Sequence, residues 1–199
     1  YFRTNKWGQA ISTAKEVLKK SGDENYVNMT DSVLRDIGLF YAVSGKIVEG
    51  IEFYKEHDVD FSQRLLEIAL RLKEEGQFSN ATKVLYYAEK YSKNDEQRSL
   101  VYIEQMDLYE KYGRLSSHYK ATYNLYRLIK NGNDSETAKS KINYHAGLKA
   151  ASLQKKAASK TYRRLAKKRH EFVNYAIKYF TILEELFPNK KMEYEFLKG

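Results

Sequence analysis

Residues 38–54 read GLFYAVSGKIVEGIEFY, and residues 69–85 read ALRLKEEGQFSNATKVL. Aligned at an offset of 31, the two stretches share one frame. A small residue opens each (Gly38, Ala69), a large one follows three positions on (Tyr41, Leu72), and a glycine comes four later (Gly45, Gly76). Five beyond the glycine is a second small residue (Gly50, Ala81), and four beyond that a second large one (Tyr54, Leu85). A glycine between two apolar-periodic segments suits the left-handed turn that ends one helix before the next begins. Small residues at fixed offsets from large ones suit helices packed closely against each other. The two stretches therefore predict two helix–turn–helix units.

The frame extends outward. Gly113, in YGRL, lies 37 residues after Gly76 with Tyr109 in the large position, although Met106 and His118 occupy the small ones. With Asn5 in the turn, Tyr1, Trp7, Ala10, Ala14 and Val17 fall into place at the start, and Phe172, Ala176, Phe180, Leu183 and Pro188 do so near the end. This alternation, on a period near 34, resembles the tetratricopeptide repeat. The match is strongest over residues 31–91 and weakest over 99–160. The resemblance implies an all-α fold, a right-handed α-solenoid of antiparallel helix pairs. Residues 1–133 would hold the repeats, the first one partial because the sequence opens inside it. Residues 134–199 would form a longer, basic helical pair packed on the repeats in the same domain.

Composition agrees with helix. Of 199 residues 42% are hydrophobic, enough for a core, and there are one Pro and ten Gly. No cysteine is present, which removes disulfides, thiolate metal sites and Cys nucleophiles. A Cys-free chain suits the cytoplasm and a periplasm alike, with the cytoplasm the first choice. No apolar run is long enough to span a bilayer.

Helix starts have local causes. Thr30 or Asp31, Asp60 or Ser62, Asp95, and Asp134 or Ser135 each precede an apolar-periodic run as candidate N-caps. Ser21 and Glu24 have capping-box spacing, and NGNDS at 131–135 is a turn cluster. Between Gly147 and Pro188 there is no Gly or Pro. From the turn at Gly113 to the equivalent turn near Glu171 the chain runs 58 residues where one repeat needs about 34, so the last helix pair is expected to be extended, with its bend near Ala158–Lys160. One long helix through 160–187 is the simpler alternative.

Catalytic signatures are missing. The sequence has no phosphate-binding or dinucleotide glycine motif, no H-E-x-x-H and no G-x-S-x-G. His57, His118, His145 and His170 are far apart in sequence, and surface or packing roles are expected for them. The adjacent Glu184 and Glu185 point apart on a helix. Accordingly no catalytic residue, metal or cofactor is expected. Tyr86, Tyr87, Tyr119, Tyr123, Tyr126, Tyr175 and Tyr179 sit at helical spacings that suit packing better than base stacking.

Function is expected at two surfaces. In proteins similar to this repeat family the inner helices line a groove that binds a peptide or helix. The positions carried over are Arg35, Leu39, Gln63, Leu66, Leu70, Lys73, Ile103, Asp107 and Glu110. The second surface comes from charge. The net charge is +9, yet residues 137–170 alone hold eleven Lys or Arg and no acid, leaving the remainder at −2. On one helix Lys156, Lys160, Arg163, Arg164 and Lys167 would form a single stripe. Leu153, Ala157, Leu165 and Phe172 would face a neighbour. Such a concentration points to an acidic partner. An acidic protein ranks first, nucleic acid second and anionic lipid third, because no nucleic-acid motif and little apolar bulk accompany the charge. The reading is a non-enzymatic scaffold that holds protein partners within a larger assembly. The alternative is a nucleic-acid-binding regulator acting through 149–169.

Overall fold

The computed structural model describes residues 6–21, 28–57, 60–132, 135–162 and 164–198, with side chains to 195. Among them are ten α-helices and no strand, so the chain is all-α. They fall into two compact units, Tyr1–Lys93 and Asn94–Gly199. The residues expected to start the first repeat at Tyr1 and Asn5, together with Glu24, Asp134 and Arg163, lie outside the described ones.

The first unit contains α1 (Trp7–Lys20), α2 (Thr30–Val43), α3 (Ile47–Glu56), α4 (Phe61–Glu74) and α5 (Phe78–Tyr91). Helix α2 packs on α1, α3, α4 and α5, and α4 packs on α5. The second contains α6 (Asp95–Lys111), α7 (Leu115–Lys130), α8 (Glu136–Ala158), α9 (Ala166–Leu186) and α10 (Lys191–Lys198). Here α6 pairs with α7 and α8 with α9, while α10 folds back on α9. The sequence-based boundary at 133/134 falls between α7 and α8, inside this second unit.

The three framing glycines close their helices in one way. Gly45, Gly76 and Gly113 have φ of 78°, 75° and 65°. In each turn the glycine N–H donates to the carbonyl three residues back, at 3.1–3.2 Å for Ala42, Lys73 and Glu110. The next N–H donates five residues back at 2.8 Å, from Lys46, Gln77 and Arg114 to Tyr41, Leu72 and Tyr109. This is the Schellman closure, which satisfies the last carbonyls of a helix and needs a residue tolerant of positive φ. Gly132, from the NGNDS cluster, has φ 109° and makes the first of these bonds, to Ile129 at 3.2 Å.

Close packing in the first unit depends on the small residues. A methyl group at Gly38 would overlap the Tyr54 hydroxyl and Ile68 Cδ1. One at Gly50 would come within 2.9 Å of Tyr41 Cβ. Tyr54 is buried and its hydroxyl donates to the Leu34 carbonyl at 2.7 Å. Burial raises its pKa. Ala69, Leu72, Ala81 and Leu85 are buried at the corresponding places of the next hairpin.

Two apolar clusters organise the second unit. Tyr102, Ile103, Met106, Leu125 and Ile142 belong to one. Ala146, Ala150 and Leu153 of α8, with Ala176, Tyr179, Phe180 and Leu183 of α9, belong to the other. Tyr194 of α10 joins the latter, with its hydroxyl donating to Asn143 Oδ1 at 3.0 Å. Helix α8 ends at Ala158 because Ser159 turns to φ −70°, ψ 147°, with its N–H and hydroxyl both returned to the Lys156 carbonyl. A single 3-10 turn, Lys160–Tyr162, follows, and the Tyr162 ring stands edge-on to Phe172 at 5.1 Å. The reversal falls where the extended pair was expected to bend.

Cap residues differ in part from expectation. Ser135 caps α8 through Ala138 N–H at 3.3 Å, but Asn94, rather than Asp95, caps α6 through Gln97 N–H at 2.9 Å. Asp60 precedes α4, and its carboxylate accepts from Ser62 Oγ at 2.8 Å. That hydrogen bond is the main reason its pKa is lowered.

Candidate partner-binding surfaces

The groove positions divide between the units. In the first, Arg35 is exposed on α2 and paired with Asp31 at 3.4 Å. On the adjoining α4, Gln63 is exposed and Leu66, Leu70 and Lys73 are half-buried. Gln63 lines a polar cleft of about 240 Å³ with Asp60, Arg64 and Glu67. Arg64 ties the helices together through Asp31 of α2 and Glu67 of its own helix, and Arg71 does the same through Asp36 at 2.9 Å. Leu39 must be corrected. It is 0% exposed, because four helices pack around α2, so it belongs to the core and offers a partner nothing.

In the second unit Ile103 is likewise core, and the two acids face α8. Asp107 Oδ1 lies 3.4 Å from His145 Nε2, and Glu110 pairs with Lys149. Behind them His118 is 0% exposed, with Nδ1 2.7 Å from the Tyr179 hydroxyl and Nε2 3.8 Å from Glu110. A proton on Nε2 lets Nδ1 accept from Tyr179 and turns the remaining N–H toward the carboxylate. Thr122 donates to the His118 carbonyl at 2.9 Å. Burial is the main reason that His118 is lowered to about 4, with the Lys149 charge adding to it. Burial also lowers His145, against the opposing pull of Asp107. Burial raises the Tyr179 phenol.

His118 and His145 are 27 residues apart in sequence, yet the fold brings their rings to 6.4 Å. The available signal was His118 itself, a polar residue in a small-residue position of the frame. Among the described residues no group of His, Asp or Glu is arranged to hold a metal ion. His118, Thr122 and Tyr179 are buried between the helices, whereas the Asp107 and Glu110 side chains are 39% and 49% exposed, and the buried His118 Nε2 makes no hydrogen bond.

Tyr119, Tyr175 and Tyr179 are packed as expected, whereas Tyr86 and Tyr123, also expected to pack, are 60% and 42% exposed. Tyr119 lies edge-on to Tyr175 and Tyr179 at 5.6 and 5.4 Å, and Lys178 sits over the Tyr119 and Tyr175 rings. Tyr126 bonds to Glu185, a hydrogen bond that pushes its phenol up to about 12.

The basic run is sorted by the fold. Lys149 is 7% exposed and paired, and Lys139 pairs with Glu136 at 3.4 Å. Both therefore leave the candidate surface. The single helical stripe is also corrected. Lys156 closes α8, Lys160 stands in the 3-10 turn, Arg164 follows it, and Lys167 opens α9. Arg163 is not described. Ser159 breaks the register, so these residues collect at the tip of a hairpin. Leu153 and Ala157 are buried as expected and Phe172 is half-buried, but Leu165 is exposed at the tip. Lys155, Lys156, Lys160, Arg164, Lys167, Lys168 and Arg169 are all exposed, and no described carboxylate pairs with any of them.

The described residues form an all-α protein, with exposed lysines and arginines around the turn between α8 and α9. No protein-family model, curated protein or solved structure matches the chain. Among the described residues no helix is long and apolar enough to cross a membrane.

Proposed function

We propose that this chain is a non-enzymatic interaction scaffold. Its helix pairs would stack in the right-handed manner of tetratricopeptide-like repeats, and it would recruit an acidic protein through the α8/α9 tip. The observation that carries this reading is the set of seven described cations with no carboxylate partner. Solvated helices ordinarily mix signs, since i,i+4 pairs add stability. The tip does the reverse at a cost. The first turn of helix α9 holds Lys167, Lys168 and Arg169 after Ala166 and has no acid. Cations at that end oppose the helix dipole, by about 0.3–1 kcal/mol each where exposed. Charge kept against local stability supports an external partner. On the first unit Arg35, Gln63, Leu66, Leu70 and Lys73 remain as a second, peptide-binding surface.

The test replaces Arg164, Lys167 and Lys168 with Glu. The wild-type chain and the variant are each cross-linked in cells that express them, and the bound material is identified with and without nuclease. Loss of a protein partner from the variant supports the reading. An unchanged partner set in a folded variant removes the tip from it, and release by nuclease favours the nucleic-acid alternative. Leu66→Asp with Leu70→Asp applies the same test to the first unit.

A further inference from the structure

Beside the cationic tip, α8 and α9 do not close completely. A groove of about 230 Å³ runs between them, lined by Ala157, Arg169, Val173, Ala176, Ile177 and Phe180, among others. On α9, Arg169, Val173, Ile177 and Phe180 follow i, i+4, i+8 and i+11 and so share one face. That face is about 16 Å long. Val173 and Ile177 are 37% and 41% exposed, while Ala176 and Phe180 form a buried floor. On the α8 side the wall is Gln154, Ala157 and Ala158, and the two alanines leave room for a visiting side chain where larger residues would fill the space.

The volume lies below the ~300 Å³ at which small-molecule pockets begin. It holds one or two apolar side chains rather than a cofactor. Nucleic acid finds no exposed ring on the floor and no donor or acceptor beyond Arg169 and Gln154 to read a base. A bilayer needs a broad face of protruding apolar groups, and among the described residues this end of the hairpin offers Leu165, with Val173 and Ile177 only partly exposed along the groove. The charge beside the groove is of one sign: Arg169 lines it, and Lys155 and Lys167 stand exposed at the same end of the hairpin without a carboxylate. Among the described residues there is no strand edge to extend, so the available mode is a helix laid into a helical groove.

We infer that the α8/α9 groove docks an acidic amphipathic helix of a partner protein, its apolar residues seated on Val173 and Ile177 and its carboxylates on Arg169 and the tip lysines. The occupant spans three to four turns, about 12–14 residues, with apolar groups at i, i+4 and i+7. This rests on the proposed scaffold reading and adds to it an apolar recognition that charge alone does not supply.

The experiment uses the full chain and three labelled synthetic peptides of about 14 residues. The first is a Leu/Glu/Ala helix with its leucines on one face. The second has the same composition scrambled, so that the leucines share no face. The third has Lys in place of Glu. Fluorescence anisotropy near physiological ionic strength is expected to show the first binding at least about tenfold more tightly than either other. Ile177→Asp and Arg169→Glu each weaken it by about tenfold or more with helix content unchanged by circular dichroism, and Ile177→Leu retains it. Should Ile177→Asp lose helix content, Val173→Asp takes its place. Equal binding of the amphipathic and scrambled peptides overturns the groove while leaving a charge-only scaffold intact. No binding of the amphipathic peptide up to about 1 mM overturns the inference whatever the cross-linking shows. Tighter, Ile177-dependent binding of a single-stranded oligonucleotide or of phosphatidylserine vesicles overturns it as well.

Discussion

The same place in the hairpin frame is filled differently in the two units. Five residues after the turn glycine stand Gly50 and Ala81 in the first unit and His118 in the second. The turns themselves are alike, each closed by the same pair of backbone bonds. What changes is how a close helix approach is made. Gly50 admits the Tyr41 side chain because it has none of its own. His118 fills its place with an imidazole that must then be hydrogen-bonded, here by Tyr179. One solution is apolar and indifferent to pH. The other places a titratable group in the core. The backbone frame therefore fixes where helices turn without fixing the chemistry between them.

The largest effect is expected on the apolar side. Gly38→Ala adds a methyl that overlaps both the Tyr54 hydroxyl and Ile68. Overpacking of this kind costs about 3 kcal/mol at the upper end of its usual range. Urea denaturation of the chain should show that loss in the transition of the first unit. Adding Tyr54→Phe removes the overlapping oxygen and should return part of it, less about 1 kcal/mol for the lost bond to the Leu34 carbonyl. A Gly38→Ala chain as stable as wild type would break the claim that small residues set the packing here.

On the polar side the expected effect depends on pH. His118 titrates at about 4 in the folded chain against an ordinary 6.5, chiefly because it is buried. Between those values the unfolded chain binds a proton that the folded chain refuses. Stability is thus fully present above pH 6.5 and is lost as pH falls toward 4, by up to about 3 kcal/mol. His145, also lowered, acts in the same direction. The groups facing the site are Asp107 and Glu110 from α6, Thr122 from α7, Lys149 from α8 and Tyr179 from α9. His118→Gln keeps a hydrogen-bonding side chain without the titration. The difference in stability between wild type and this variant should shrink from pH 7 to pH 4, as read by chemical denaturation. A difference independent of pH would return His118 to the role of an ordinary packing residue.

Much of this contrast was legible in the sequence, and the rest was hidden for physical reasons. Gly45, Gly76 and Gly113 marked their turns because positive φ narrows the choice to glycine. The small and large pairs could be read because close approach restricts size. His118 could be seen only as a poor fit, since the partner that makes it a good fit, Tyr179, lies 61 residues away. Lys149 looked like one more charge in a basic run, because a run does not say which member faces an acid on another helix. The length of the run pointed to a bend near Ala158–Lys160, but no glycine or proline there excludes a continuous helix, and only on a continuous helix do Lys156 and Lys167 share one stripe. Leu39 and Ile103 occupy groove positions in the frame, but exposure depends on how many neighbours a helix has, which the frame does not count.

The smallest effect sharpens a second contrast, within the second unit, between paired and unpaired cations. Lys149 is buried against Glu110, so Lys149→Glu sets a second carboxylate beside the first and should destabilise the unit. At the tip the sign is opposite. Lys167 and Lys168 stand in the first turn of α9, are exposed, and have no described acid to lose. Lys167→Glu with Lys168→Glu puts negative charge where the helix dipole favours it and thins a crowded cationic cluster. Thermal unfolding should therefore show a gain of about 0.5–1 kcal/mol, falling as salt is raised. A loss instead would mean that these lysines already stabilise the folded chain, and the argument that the tip keeps its charge for a partner would lose its premise.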